Sequence, residues 1–300
     1  LFGDLHSLHA AEVPTGFETG SFLAAQGIRG PVEVLGRIGS GRFGVVLRAR
    51  GSASGEPLAV KVLKSEHRSD PVLGERFLRE AMALRRIRHE NVVRVLGIGE
   101  AGEVPFLVMD FLDGPMLSTH ILRRGALEPA EAASVALGIA RGLEAIHRAS
   151  LLHRDLKPEN IMLVGGTCPV ITDLGVAKGV REQGLTLSGM VVGTPLYMAP
   201  EQAWGGEVGP ASDLFALGGV LYECLAGAPP HGGTNLMALF LDVRNRTPAP
   251  LPPAVPAALS DLVFRLLRKD PAERPPGAGA VALELEGLMG DLGGGGSGGG

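Results

Sequence analysis

Apolar residues recur along the chain with two different periods. Over residues 32–38 and 45–49 they follow a strand-like pattern, and the glycines between the two stretches fit the turn of a hairpin. Residues 58–63 form a third strand, apolar except for Lys61. Over 75–88 the period changes: Phe77, Ala81, Leu84 and Ile87 return at helical spacing. Residues 106–109 read as a strand that ends at Asp110, and Gly114 marks the break after it. A long helix is predicted over 129–148, with Val135, Ile139, Leu143 and Ile146 on one stripe. Next come a very short strand at 151–152, another at 161–164, a turn at Gly165-Gly166 and a return strand at 169–172. The most apolar stretch, 214–230, contains Glu223, follows Asp213, and reads as a buried helix too short to span a bilayer; 259–267 reads as another helix.

The loop between the predicted strands at 151–152 and 161–164 carries the densest chemistry. It reads His153-Arg154-Asp155-Leu156-Lys157-Pro158-Glu159-Asn160, and Asp173-Leu174-Gly175 follows at the end of the return strand. Asp155 can accept a proton from a hydroxyl nucleophile, Lys157 can neutralise a moving phosphate, and Asn160 with Asp173 can hold magnesium on oxygen ligands. A hairpin brings residues that are distant in sequence to one ion. A plain turn with a paired charge is the competing explanation.

The glycines of Ile38-Gly39-Ser40-Gly41-Arg42-Phe43-Gly44 are weak evidence alone, because the same spacing opens dinucleotide-binding folds. Such folds need an acid about 20 residues on, where this chain has Lys61. Strand-like flanks on both sides make the glycines cap a hairpin, so that their amides can lie over a triphosphate. An ammonium in an apolar strand needs an anionic partner, and Glu80 neighbours the apolar stripe of the predicted helix.

With Ala59-Val60-Lys61-Val62, Gly193-Thr194-Pro195 and Ala199-Pro200-Glu201 in the same order, residues 32 to about 290 resemble a eukaryotic-type serine/threonine protein kinase domain of the bacterial branch. The resemblance implies an α+β, two-lobed protein-kinase-like fold, with a small, mostly β N-lobe carrying one regulatory helix and a larger, mostly α C-lobe. The expected division is a flank at 1–30, an N-lobe at 31–109, a hinge at 110–114, a C-lobe at 115–290 and a Gly/Ser-rich flexible tail at 291–300.

It further implies transfer of the γ-phosphate of ATP, with Mg2+ or alternatively Mn2+, to Ser or Thr hydroxyls of proteins. Asp155 is then the base, Lys157 the charge-neutralising residue, and Asn160 and Asp173 the metal ligands. Lys61 and Glu80 form the ion pair on the α/β-phosphates, and Thr194 hydrogen-bonds the base. Ile38, Gly39, Ser40, Gly41, Arg42, Phe43 and Gly44 cover the nucleotide. Val46, Ala59 and Met162 sandwich the adenine; Met109 is the gatekeeper, and the backbones of Asp110 and Leu112 meet the adenine edge. Asp213 anchors the loop of His153, and Arg274 pairs with Glu201. Arg154 awaits a phosphate added by autophosphorylation, mainly at Thr186 with Ser188 as the other candidate, and Lys178 is a second contact. One departure is Leu174, where the family usually has Phe; an apolar residue there still packs. A pseudokinase scaffold and a small-molecule kinase are the alternatives, the first opposed by the intact Lys61, Glu80, Asp155, Asn160 and Asp173, the second by Ala199-Pro200-Glu201.

Composition adds limits. A net charge of −4 gives no basic field for nucleic acid. Cys168 and Cys224 are far apart and without metal spacing, as expected for reduced thiols. No initiator Met or signal-like segment opens the sequence, so it reads as part of a longer protein, cytoplasmic in this portion, with a membrane tether outside it left open. A kinase homodimer is compatible with the resemblance, but no surface for it is legible.

Overall fold

The computed structural model describes residues 22–40, 44–64, 71–102, 104–174 and 195–294. The described residues up to Arg86, with Arg94–Phe111, form one compact unit; Ile87–Val93 and the described residues from Leu112 onward form a second.

The first unit is built on six antiparallel strands, β1 (Phe22–Leu23), β2 (Val32–Ser40), β3 (Gly44–Gly51), β4 (Pro57–Leu63), β5 (Val95–Ala101) and β6 (Val104–Asp110), in the order β1-β2-β3-β4-β6-β5. Alternation drives one face inward: Val32, Val34, Val45, Leu47, Val60, Val62, Phe106 and Val108 form a single buried cluster. Helix α1 (Pro71–Leu84) joins β4 to β5 and packs beside β5 and β6. It begins and ends four residues earlier than the apolar spacing suggests. Ile87 is buried but lies past its end, in the second unit.

The second unit is mostly helical. It contains α2 (Leu117–Arg124), α3 (Pro129–Arg148), the hairpin β7 (Ile161–Val164) and β8 (Cys168–Ile171), then α4 (Pro200–Trp204), α5 (Pro210–Ala226), α6 (Leu236–Asn245), α7 (Ala257–Leu266) and α8 (Ala278–Gly294). The whole is an α+β fold. Helix α3 matches its predicted bounds: Pro129 suits the first helical position and Val135, Ile139, Leu143 and Ile146 are all buried. The short strand expected at 151–152 is absent. Ser150 takes a positive φ of 58° and the Leu151 N–H bonds back to the Ile146 carbonyl at 3.2 Å, so this stretch closes the end of α3 instead of pairing with a strand. Helix α8 runs to Gly294, into the beginning of the glycine-rich tail.

The segment 87–93 is stitched into the second unit by Asn91. Its side-chain amide donates to the Pro169 carbonyl at 2.8 Å and its backbone carbonyl accepts the Ile171 N–H at 2.9 Å. The Val93 N–H reaches the Ile171 carbonyl at 2.9 Å, which sets this segment alongside β8.

Candidate active site

Asp213 lies in the first turn of α5, 2% exposed. Its carboxylate accepts the His153 N–H at 2.9 Å, the Arg154 N–H at 2.8 Å and the His147 Nε2–H at 2.9 Å. Three donors satisfy a buried charge that would otherwise be costly. They also hold Arg154 at a φ of +63°, a left-handed conformation that costs a non-glycine residue about 1–3 kcal/mol unless its surroundings impose it.

The buried His153 ring faces the Asp155 N–H with Nδ1 at 3.3 Å, so Nδ1 is the acceptor. Nε2 therefore carries the proton and donates to the Thr172 carbonyl at 3.0 Å. A single neutral ring thus joins the loop to the end of β8.

Beyond it, Pro158–Asn160 form one turn of 3-10 helix that strand periodicity could not reveal. This turn brings Asn160 back toward Asp155. The Asn160 Nδ2 donates to the Asp155 carbonyl at 2.8 Å and approaches its Oδ2 at 3.3 Å, while Lys157 Nζ lies 3.1 Å from the same Oδ2. Asp155, Lys157 and Asn160 are thus gathered around one carboxylate. The Thr172 N–H donates to the Asn160 carbonyl at 2.8 Å, which places Asp173, at a φ of +51°, next along the chain from that contact.

The Asn160 nitrogen is engaged by Asp155, which leaves the amide oxygen on the other side of the group. That oxygen and the Asp173 carboxylate are hard donors that suit a small divalent cation. Among the described residues there is no group of three His, Cys, Asp or Glu able to hold a metal. An ion held by Asn160 and Asp173 would take its remaining ligands from water or phosphate, as Mg2+ commonly does.

In the first unit the candidate nucleotide residues fall on registered ladders. Gly39 pairs with Val46, Val46 with Lys61, and Lys61 with Leu107; Ala59 pairs with Met109 and Leu58 with Asp110. Ser40 closes β2 and Ile38 is 48% exposed. Gly44 has a packing reason beside any binding role: a Cβ there would fall 2.8 Å from the Val62 carbonyl oxygen. Glu80 lies half-buried on α1. The Asp110 side chain is engaged by Arg94 through two hydrogen bonds of 3.0 and 2.9 Å, a pairing that no local pattern announced.

Leu112 and Met162 belong to the second unit, where Met162 bridges to Met116. Gly114 is required nearby, since a Cβ would sit 2.1 Å from the Leu163 carbonyl oxygen. Gly41, Arg42, Phe43, Lys178, Thr186, Ser188 and Thr194 lie outside the described residues.

Glu201 and Arg274 meet as anticipated. The guanidinium donates to both carboxylate oxygens, at 2.7 and 2.9 Å, and also to the carbonyls of Ala211, Arg268 and Lys269. Burial pushes the Glu201 carboxyl up, yet Arg274, with Ser212, outweighs it and leaves the group below its usual range. Just upstream, the Tyr197 hydroxyl donates to Glu223, whose carboxyl is raised by burial and by the nearby charge of Glu159 against the effect of that bond.

His147 and Gln202 escaped the sequence reading. Gln202 stands at the third position of α4, a common capping place, but its other contact is 48 residues away.

Residues 32–283 match the model of the protein kinase domain. The chain is 40% identical over 252 residues to the serine/threonine-protein kinase PkaA of Streptomyces coelicolor, covering 79% of this chain and 46% of that protein. It is 38% identical over 250 residues to PknA of Mycobacterium tuberculosis, covering 82% and 58% respectively. A probable serine/threonine-protein kinase of Clostridium perfringens is 32% identical over 264 residues, covering 86% of this chain and 38% of that protein. The chain spans about half the length of the first two relatives.

Proposed function

The chain belongs to the protein kinase domain family, among relatives named as bacterial serine/threonine-protein kinases, and from that premise we propose that it transfers the γ-phosphate of ATP to Ser and Thr hydroxyls of proteins. The observation that carries the reading is the gathering of Lys157 and Asn160 on the carboxylate of Asp155, whose backbone is pinned through His153 and Asp213.

In this reading Asp155 receives the acceptor hydroxyl and takes its proton. Lys157 lies 3.1 Å from that carboxylate, close enough to accompany the proton acceptor and to offset phosphate charge as the bond forms. Asn160 keeps Asp155 aligned through its amide nitrogen. Oxygens of Asn160 and Asp173 hold the divalent cation, Mg2+ with Mn2+ as its alternative, which neutralises charge spread over the phosphates. Lys61 with Glu80 takes the α/β-phosphates, and Gly39, Ser40, Gly41, Arg42, Phe43 and Gly44 supply amides over them. Val46, Ala59, Met109 and Met162, with the backbones of Asp110 and Leu112, take the adenine; Thr194 sets the acceptor against Asp155. Thr186 is the main site of self-phosphorylation, with Ser188 second, and Arg154 receives that phosphate. The domain works on the cytoplasmic side, where ATP is. Among the described residues no helix is long and apolar enough to cross a membrane.

Incubation with γ-labelled ATP and Mg2+, alone and with a generic basic protein, tests this. Label on protein Ser and Thr is expected, with Thr186 the main site on the chain itself. Label confined to small molecules, or absent altogether, would overturn the reading.

A further inference from the structure

One side chain joins the proposed catalytic loop to the helix that follows Ala199-Pro200-Glu201. The Gln202 Oε1 accepts the Ala199 N–H at 3.0 Å, and its Nε2 donates to the Arg154 carbonyl at 3.1 Å. The orientation of the amide is fixed by its neighbours, because a backbone N–H only donates and a carbonyl only accepts. Ala199 has no side-chain oxygen, so the start of α4 relies on Gln202 for this contact.

The carbonyl that Gln202 holds belongs to the peptide plane between Arg154 and Asp155. The N–H of that plane, on Asp155, donates to His153 Nδ1 at 3.3 Å, and the Arg154 N–H on the preceding plane is held by Asp213 at 2.8 Å. With Arg154 at a φ of +63°, rotation of the Arg154–Asp155 plane is the motion through which this loop would relax and turn the Asp155 carboxylate. Gln202 closes the one end of the plane that Asp213 and His153 do not.

We propose that Gln202 is a positioning residue for the transfer reaction, coupling the seating of the 195–199 segment to the orientation of Asp155. This rests on the function proposed above, and a measurement that does not need turnover separates the two. Gln202→Glu retains the acceptor toward Ala199 but sets a carboxylate against the Arg154 carbonyl; Gln202→Leu removes both bonds. For both variants kcat falls about tenfold, the scale of one lost hydrogen bond that leaves a part-buried carbonyl unmet, with the KM for ATP unchanged. In Gln202→Glu the deficit shrinks as pH falls toward the carboxyl's own range, where a protonated oxygen can donate again; Gln202→Leu shows no such recovery. Amide hydrogen exchange of the peptide containing Arg154 and Asp155 accelerates in both variants, while α5 exchanges as in the parent. Parent-like exchange in that peptide, or parent-like kcat in both variants, overturns the proposal. If the parent protein transfers no phosphate, the proposed function falls, and exchange alone decides the role of Gln202.

Discussion

Arg274 grips Glu201 through two parallel hydrogen bonds of 2.7 and 2.9 Å, with the guanidinium fully buried and the carboxylate 9% exposed. The same guanidinium lies 5.0 Å over the ring of Phe215 and holds backbone carbonyls from both sides, so nearly all its donors are spent. Arg274→Met leaves the Glu201 carboxylate without its cation, held by Ser212 and a backbone hydrogen bond, and should lower stability by about 3–5 kcal/mol, the usual cost of orphaning one member of a buried pair. Arg274→Lys recovers only part of this, because an ammonium cannot reproduce the fork. Denaturant midpoints at constant slope measure both; a loss below about 1 kcal/mol would show the pair to be structurally idle.

Asp213 holds the loop through the N–H groups of His153 and Arg154 and is itself met by His147 of α3. Asp213→Asn keeps the shape but exchanges one acceptor oxygen for a donor that faces N–H groups. We expect stability to fall by about 1–3 kcal/mol and kcat by at least about tenfold, with ATP affinity held. Equal kcat would mean that the loop keeps its form without this anchor.

For Asp155→Asn the expectation is sharper. Removal of a general base typically costs about 10² to 10⁴ in rate, whereas Asn160 and Asp173, the proposed cation ligands, are left unsubstituted. Turnover should nearly vanish while nucleotide binding, followed by titration calorimetry, persists. Undiminished turnover would take the base away from Asp155.

Acid stability turns on His231. Its side chain is fully buried, stacked on Phe215, with Asp242 at 2.9 Å on one nitrogen and the Lys269 ammonium 3.2 Å from the other. Burial first, then the charges of Lys269 and Arg246, lower its pKa from 6.5 to about 4 against the opposing pull of Asp242. Between those values the unfolded chain takes up a proton that the folded chain refuses. Stability therefore falls as pH drops through that window, by roughly 3 kcal/mol. His231→Phe, which keeps the stack, should flatten this slope in denaturant titrations at about pH 7 and about pH 4.5; an unchanged slope would assign the acid sensitivity elsewhere.

Local signals recovered most of the elements but few of the links between them. Helix α3 was legible because Pro129 and a regular apolar stripe mark it from end to end. The pair at 151–152 misled because two leucines look alike in a strand and in the wrap that ends a helix. Helix α6 had a readable start, Asn235 accepting the Ala238 N–H at 2.9 Å, that apolar spacing alone passed over. Asp155, Lys157 and Asn160 lie within one short loop, so their gathering could be expected from chemistry. His147 and Asn91 could not: the one meets Asp213 across 66 positions and the other Pro169 across 78, and a single sequence holds no trace of such distances.

The excursion of Ile87–Val93 into the second unit means that the polypeptide passes between the two units three times. A fragment ending at Phe111 would carry off the strip that Asn91 and Val93 lay along β8, and a fragment starting at Leu112 would expose the carbonyls of Pro169 and Ile171 that this strip covers. Dissection of this chain into autonomous halves therefore requires a circularly permuted or grafted 87–93 segment rather than a single cut.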